Sequence, residues 1–271
     1  MTNLGSVTQS QLDQWELRRD GEPSHGSGSM VLPVRMSEGT PAVLKISLPD
    51  TASEHEHLVL RRWGGNGAVR LLSADPPRRA ILLERLHAQS LSTLSDVDAC
   101  EVVADLYGRL HVPALPQLRT LTSHLEQWAS VFEALPRSAP IPHRLVEQAM
   151  ALSRDLAADA ATTGRVVHGN LHYENVLAAD REPWLAIAPR PVNGDPHYEL
   201  APMLWNRWDE LSGQIRGGAQ RRFYALVDAA GFDEERARAW VIVRVIHEAT
   251  RELANATRLT KYVALAKAVQ D

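Results

Sequence analysis

The sequence predicts an α+β chain in two lobes: a small β-rich N-terminal lobe over residues 1–88 and a larger helical lobe over residues 89–271, with a cleft between them. Three observations carry this. Before Gln89, short apolar runs alternate with turn residues; after it, apolar residues recur every three or four positions. Pro113, Pro116, Pro136, Pro140 and Pro142 mark the joins between the helical stretches. A chain of 271 residues is long enough for two lobes and buries a core without disulfides.

In chain order, residues 9–19 read as a short opening helix with Leu12 and Trp15 on one face. Gly and Ser crowd residues 21–29. Met30–Arg35 and Ala42–Ser47 then read as strands around a turn at Ser37–Thr40. Residues 51–64 carry a helix pattern: Thr51 or Ser53 as cap, acids early, arginines late, and Gly64-Gly65 to stop it. Residues 68–86 read as two strands joined at Asp75–Pro77. In the second half, helices are expected over 94–111, 121–134 and 143–160. Short strands follow at Val166-Val167 and Trp184–Ile187, then helices near 197–212, 216–230, 233–252 and 260–270.

Composition narrows the function classes. Basic residues number 29 and acidic residues 33, for a formal net charge of -4, which argues against a protein that coats nucleic acid or an anionic membrane. A single cysteine, Cys100, excludes an internal disulfide and reads as a buried helix residue. No apolar run approaches the roughly 20 residues of a membrane span, and the N-terminal residues lack a signal-peptide pattern. The expectation is a soluble, cytoplasmic protein with no nucleic-acid or membrane partner. Only three basic residues are lysines, Lys45, Lys261 and Lys267; the other 26 are arginines. Lys45 is thus the one lysine of the first 260 residues.

Two segments carry chemistry. The first runs His168-Gly169-Asn170-Leu171-His172-Tyr173-Glu174-Asn175; the second is Trp184-Leu185-Ala186-Ile187-Ala188-Pro189-Arg190, followed by Gly194-Asp195-Pro196. His-x-Asp-x4-Asn is the catalytic-loop spacing of phosphoryl-transfer kinases, in which the Asp orients the acceptor hydroxyl and the Asn holds magnesium. A strand lysine braced by a helix glutamate pairs the nucleotide phosphates in such enzymes. Lys45 ends the run Ala42-Val43-Leu44-Lys45. Glu56 is preferred to Glu54 as its brace, because it lies four residues before Leu60 and seven before Trp63, on the helix's apolar side.

With Val31–Arg35, Ala42–Lys45, Leu82–Arg85, His168–Leu177, Trp184–Pro189, Gly194–Arg207 and Ala264–Asp271, the chain resembles the aminoglycoside/hydroxyurea antibiotic resistance kinases, the streptomycin 6-phosphotransferase-like branch of the aminoglycoside phosphotransferases. The resemblance spans essentially the whole length. It implies a bilobal protein-kinase-like fold, ATP as phosphoryl donor, magnesium, and a hydroxyl of a small antibiotic or related metabolite as acceptor. It also implies a set of site residues. Asn170 stands at the position of the catalytic Asp, with His168 helping to hold its loop. Lys45, Glu56, Ser27, Ser29, Glu84 and Leu86 serve the nucleotide, Glu84 and Leu86 through backbone groups. Asn175 and Ala188 occupy the two metal positions.

The departures from the family pattern are two. His-Gly-Asp has become His168-Gly169-Asn170, and Ile-Asp-Pro-Lys has become Ile187-Ala188-Pro189-Arg190. An Asn side chain accepts a hydrogen bond but takes no proton. Ala188 supplies no oxygen to a cation that requires hard oxygen ligands. Two negative charges are missing from a site built around a dication.

Other residues admit plainer readings. His168 and His172 could form a metal pair, but no third ligand is near in sequence, and a loop-holding role is preferred. Asp195 reads as the structural acid of a Gly-Asp-Pro turn rather than a substitute ligand. Tyr198, Trp205, Trp208, Asp209 and Glu210 either line an acceptor pocket or divide between core and solvated face. Three functional readings follow: a family member with disabled catalysis, an active phosphotransferase that has rearranged its groups onto Asp195, Asp180 or Glu174, and a non-catalytic sequestering or regulatory pseudokinase.

Overall fold

A computed structural model describes residues 4–26, 28–49 and 54–270. These divide into two compact units, Met1–Ala88 with Leu177–Pro191, and Gln89–Val176 with Val192–Asp271. Residues 177–191, allotted to the second lobe on sequence, therefore group with the first. The reason is main-chain pairing: Val69 N donates to the Ala186 carbonyl (2.9 Å) and Ala186 N to the Gly67 carbonyl (3.0 Å).

The first unit opens with helix α1 (Leu4–Gln14) and strands β1 (Arg18–Arg19), β2 (Ser24–Gly26), β3 (Ser29–Arg35) and β4 (Pro41–Ser47). Helix α2 (Glu56–Trp63) and strands β5 (Leu71–Asp75) and β6 (Ala80–Glu84) follow. The sheet runs β1-β3-β4-β6-β5, with β2 also on β3, and every pairing is antiparallel. Lys45 pairs with Val31 on one side and Ile81 on the other.

Because successive strand side chains alternate faces, that register sorts them. Met30, Leu32, Val34, Ala42, Leu44, Ile46, Ala80 and Leu82 form one buried cluster with Leu12 and Leu17, against which Trp15 also packs. The other parity, Val31, Val43, Lys45 and Leu83, lines a cavity on the opposite face.

The opening helix, expected over residues 9–19, runs Leu4–Gln14. It stops there because Glu16 takes a left-handed φ of 51° and Leu17 N closes onto the Leu12 carbonyl (2.9 Å). Helix α2 begins at Glu56, and His55 at its cap makes no side-chain bond. The expected caps Thr51 and Ser53 lie outside the described residues. Gly64 closes α2 at φ 59°, its N–H on the Leu60 carbonyl. Part of the Gly/Ser segment is itself strand β2, whose Gly26 pairs with Ser29.

The second unit contains α3 (Asp96–Leu110), α4 (Leu121–Glu133), α5 (His143–Ala158), β7 (Arg165–Val167), β10 (Val192–Gly194), α6 (Leu200–Trp205), α7 (Ile215–Ala230), α8 (Glu234–Arg251) and α9 (Ala256–Gln270). Strands β8 (Val176–Ala178) and β9 (Trp184–Ala186) pair with one another. Ser95, Thr120 and Asp233 cap α3, α4 and α8 through their side chains. Helices α3 and α7, α8 and α9, and α4 and α5 pack in pairs. The stretch expected as one helix over 197–212 is broken. Asn206 is extended and Arg207 left-handed at φ 51°, held there by its Nη1 on the Leu94 carbonyl (3.0 Å) and its guanidinium over the Tyr173 ring. No helix among the described residues is long and apolar enough to cross a membrane.

Candidate active site

The first unit holds a cavity of about 190 Å³. Val31, Val43, Val69, Leu83, Leu177 and Ile187 make its wall largely apolar, which suits a flat heterocycle. Ser29, Lys45, Glu56, Glu84, Leu86 and Ala188 also line it, so six residues named from sequence come together here. Ser27 lies outside the described residues.

Lys45 Nζ sits 2.7 Å from Glu56 Oε2 and 2.8 Å from Oε1, with both residues buried. The position follows from register and from where α2 starts: β4 aims Lys45 away from the α1 side, and α2 begins with Glu56. The pair occupies two of the three ammonium donors. Glu84 is committed elsewhere. Its carboxylate accepts from Arg70 N (2.7 Å) and from Arg181 Nε and Nη2, the latter at 2.7 Å.

Arg181 is a residue that the sequence reading missed. It lies in the β8–β9 connection and also donates to the carbonyls of Gly65 and Ala68, both at 2.7 Å. It thus fastens the segment bearing Leu177, Ile187 and Ala188 to the sheet. A guanidinium with five donors suits such a clasp, but its acceptors lie about a hundred residues away in sequence.

Ala188 contributes a methyl group. Its φ is 54°, in the left-handed region where Asn and Asp are enriched and alanine is strained.

In the second unit, His168 is fully buried, and its Nδ1 accepts from Asn170 N at 3.2 Å. Gly169, at φ 77°, turns the chain. Glu199 Oε1 accepts from Gly169 N (2.7 Å), while Arg244 donates to the carbonyls of Gly169 (2.5 Å) and Tyr198 (2.8 Å). Asn175 Nδ2 donates to the Asn170 carbonyl at 2.8 Å. Leu171 and Tyr173 anchor the loop from below: both are buried, and the Tyr173 hydroxyl donates to Asp96, which Arg222 also holds. Burial pushes the Glu199 carboxyl up to about 7, against hydrogen bonds from the loop backbone and the Arg244 charge. Glu199 and Arg244 were also missed; an arginine amid the apolar run of α8 was the available signal.

The alternative bases are engaged or exposed. Asp195 is 1% exposed and accepts from His197 N (3.0 Å), Arg236 Nε (2.5 Å) and Trp240 Nε1 (2.7 Å). Burial alone would raise its carboxyl, yet the His197 and Trp240 hydrogen bonds hold it below the usual range. Asp180 is exposed beside His87, and Glu174 is exposed near Asn206. Tyr198 is core, stacked with Trp128 and beneath Arg244; Trp205 meets Tyr262 edge-on; Glu210 is an exposed partner of Arg207. Cys100 is buried, and desolvation pushes its thiol up to about 12, leaving it inert.

In the first unit Ala188 offers the cavity no side-chain oxygen, and in the second Asn175 offers one neutral amide oxygen. No group of three or more His, Cys, Asp or Glu among the described residues could hold a metal. The cavity lining at Ala188 does not fit a nucleotide-bound dication, which requires hard oxygen ligands. The cavity and Lys45 do fit a nucleotide.

Solved structures share this fold across nearly the whole chain. A thermostable mutant of an aminoglycoside phosphotransferase, in ternary complex with ADP and hygromycin B, superposes with a TM-score of 0.65 at 18% identity, covering 97% of both chains. The fold is therefore that of the protein-kinase-like phosphotransferases. Residues 14–255 match the aminoglycoside/hydroxyurea antibiotic resistance kinase family. A streptomycin 6-kinase of Streptomyces glaucescens is 40% identical over 91% of this chain and 82% of its own length. A hydroxyurea phosphotransferase of Kitasatospora aureofaciens is 42% identical over 89% and 71%. The chain belongs to the aminoglycoside/hydroxyurea antibiotic resistance kinase family.

Proposed function

We propose that this chain is a nucleotide-holding member of its family in which phosphoryl transfer is strongly impaired. The acceptor class is a hydroxyl-bearing antibiotic or related metabolite, as the names of the streptomycin and hydroxyurea relatives suggest. ATP is the nucleotide, placed with its base among the apolar cavity residues and its phosphates toward Lys45.

One observation carries the reading. A single cavity is lined both by the Lys45–Glu56 pair and by the methyl of Ala188. The cationic half of a phosphate site is retained, and the anionic half that would hold a metal is gone. Asn170 adds a second loss, since it orients a hydroxyl without accepting its proton; loss of a general base typically costs about 10²–10⁴ in rate. Neutralisation and positioning of the phosphates contribute more than the base in phosphoryl transfer, so Ala188 is the graver change.

The test is a turnover assay on the unaltered chain with ATP, magnesium and either streptomycin or hydroxyurea, beside a thermal-shift titration with ATP. The expected result is stabilisation by ATP with little or no phosphorylated product. Robust turnover overturns the proposal, and so does absence of any ATP effect.

A further inference from the structure

We propose that the cavity beside Lys45 takes its nucleotide as the free polyphosphate anion, without a divalent cation, and that Ala188 is the residue that sets this preference. The inference rests on the nucleotide reading above and goes beyond it by naming the ionic form of the ligand.

The charge inventory of the lining is short. Among the described residues its only titratable members are Lys45, Glu56 and Glu84. Glu56 is neutralised by Lys45, and Glu84 by the Arg181 guanidinium at 2.7 Å. The lining therefore presents no uncompensated carboxylate to a phosphate chain. Lys45 has one ammonium donor beyond the two directed at Glu56, and it sits at the cavity surface. Arg190, two residues beyond Ala188, is exposed and has no ion-pair partner among the described residues, leaving a second cation on the same segment.

A carboxylate at position 188 would reverse this balance. In a partly desolvated site it repels an uncomplexed triphosphate, and only an intervening cation turns that repulsion into attraction. A methyl group removes both the repulsion and the ligand. The left-handed backbone at Ala188 accommodates Asp or Asn more readily than most residues, so the carboxylate can be introduced without refolding the segment.

The experiment is calorimetric or fluorescence titration of ATP, in EDTA and in excess magnesium, with the unaltered chain, Ala188→Asp and Ala188→Asn. The unaltered chain is expected to bind ATP with affinities that agree within about threefold in the two buffers. Ala188→Asp is expected to weaken binding in EDTA by about tenfold and to recover it in magnesium, whereas Ala188→Asn, an oxygen without the charge, follows the unaltered chain. Strictly magnesium-dependent binding by the unaltered chain overturns the inference while leaving the nucleotide cavity in place. An Ala188→Asp chain that is folded by circular dichroism yet shows no magnesium dependence also overturns it. Absence of ATP binding in both buffers overturns the nucleotide reading itself.

Discussion

Lys45 and Ala188 line the same cavity, one bringing an ammonium group paired to Glu56 at 2.7 Å and the other bringing only a methyl. A phosphotransferase site needs a cation for the phosphates and carboxylates for the metal that bridges them. At this cavity the described residues include the first, on the β4–α2 framework, and position 188 brings no carboxylate.

The Lys45–Glu56 pair is buried, so breaking it from the acid side leaves a charge without its counterion. Glu56→Ala is expected to destabilise the chain by about 3–5 kcal/mol. Lys45→Met, which removes the cation but keeps most of the side-chain volume, is expected to abolish ATP-induced stabilisation. Urea melts with and without ATP check both.

The Arg181 clasp supports the wall that carries Leu177, Ile187 and Ala188. Arg181→Ala leaves the Glu84 carboxylate only its bond from Arg70 N and removes the donor to two carbonyls, and a loss of about 2 kcal/mol is expected. Hydrogen exchange is expected to rise first in residues 177–191. Unchanged protection there would show that the clasp does not hold the segment.

Ala188 bears a left-handed strain of about 1–2 kcal/mol. Ala188→Gly relieves it, offset by about 0.4–1 kcal/mol of added unfolded-state entropy. A net stabilisation of about 0.5–1 kcal/mol is expected in denaturant unfolding, unusual for an Ala-to-Gly change.

Glu199 gives a pH dependence of definite sign. Its carboxyl titrates near 7 in the folded chain, above its ordinary value of 4.5. The folded state therefore binds the proton more tightly than the unfolded one. The stability this contributes is complete below the unfolded value and is lost as pH rises through about 7. Glu199→Gln keeps an acceptor for Gly169 N but does not titrate. Its stability relative to the parent is expected to rise between pH 4.5 and 8. A flat difference across that range would show that Glu199 does not titrate there.

Much of this arrangement was legible because it is local. The alternation in Val31–Arg35 and Ala42–Lys45 tells which side chains share a face, and the sheet register makes that face a cavity wall. The position of Glu56 relative to Leu60 and Trp63 likewise pointed it inward, and it is 2% exposed. What escaped was long-range or conformational. Arg181 meets Glu84 across 97 residues, and Arg244 meets the Gly169 carbonyl across 75, with no sequence periodicity to announce either. The left-handed turns at Glu16 and Arg207 end their helices without glycine, so the usual stop signal was missing. The left-handed backbone at Ala188 was hidden in the same way, because alanine ordinarily favours a helix.

On the proposed function, two side chains, Asn170 and Ala188, separate this protein from a working kinase of its family. The most direct test is the double change Asn170→Asp with Ala188→Asp, assayed for ATP- and magnesium-dependent phosphorylation of streptomycin and of hydroxyurea beside the unaltered chain. Product is expected from the double variant at a rate about 10²-fold or more above the parent. Equal rates in the two proteins, with both folded and both binding ATP, would contradict the proposed function.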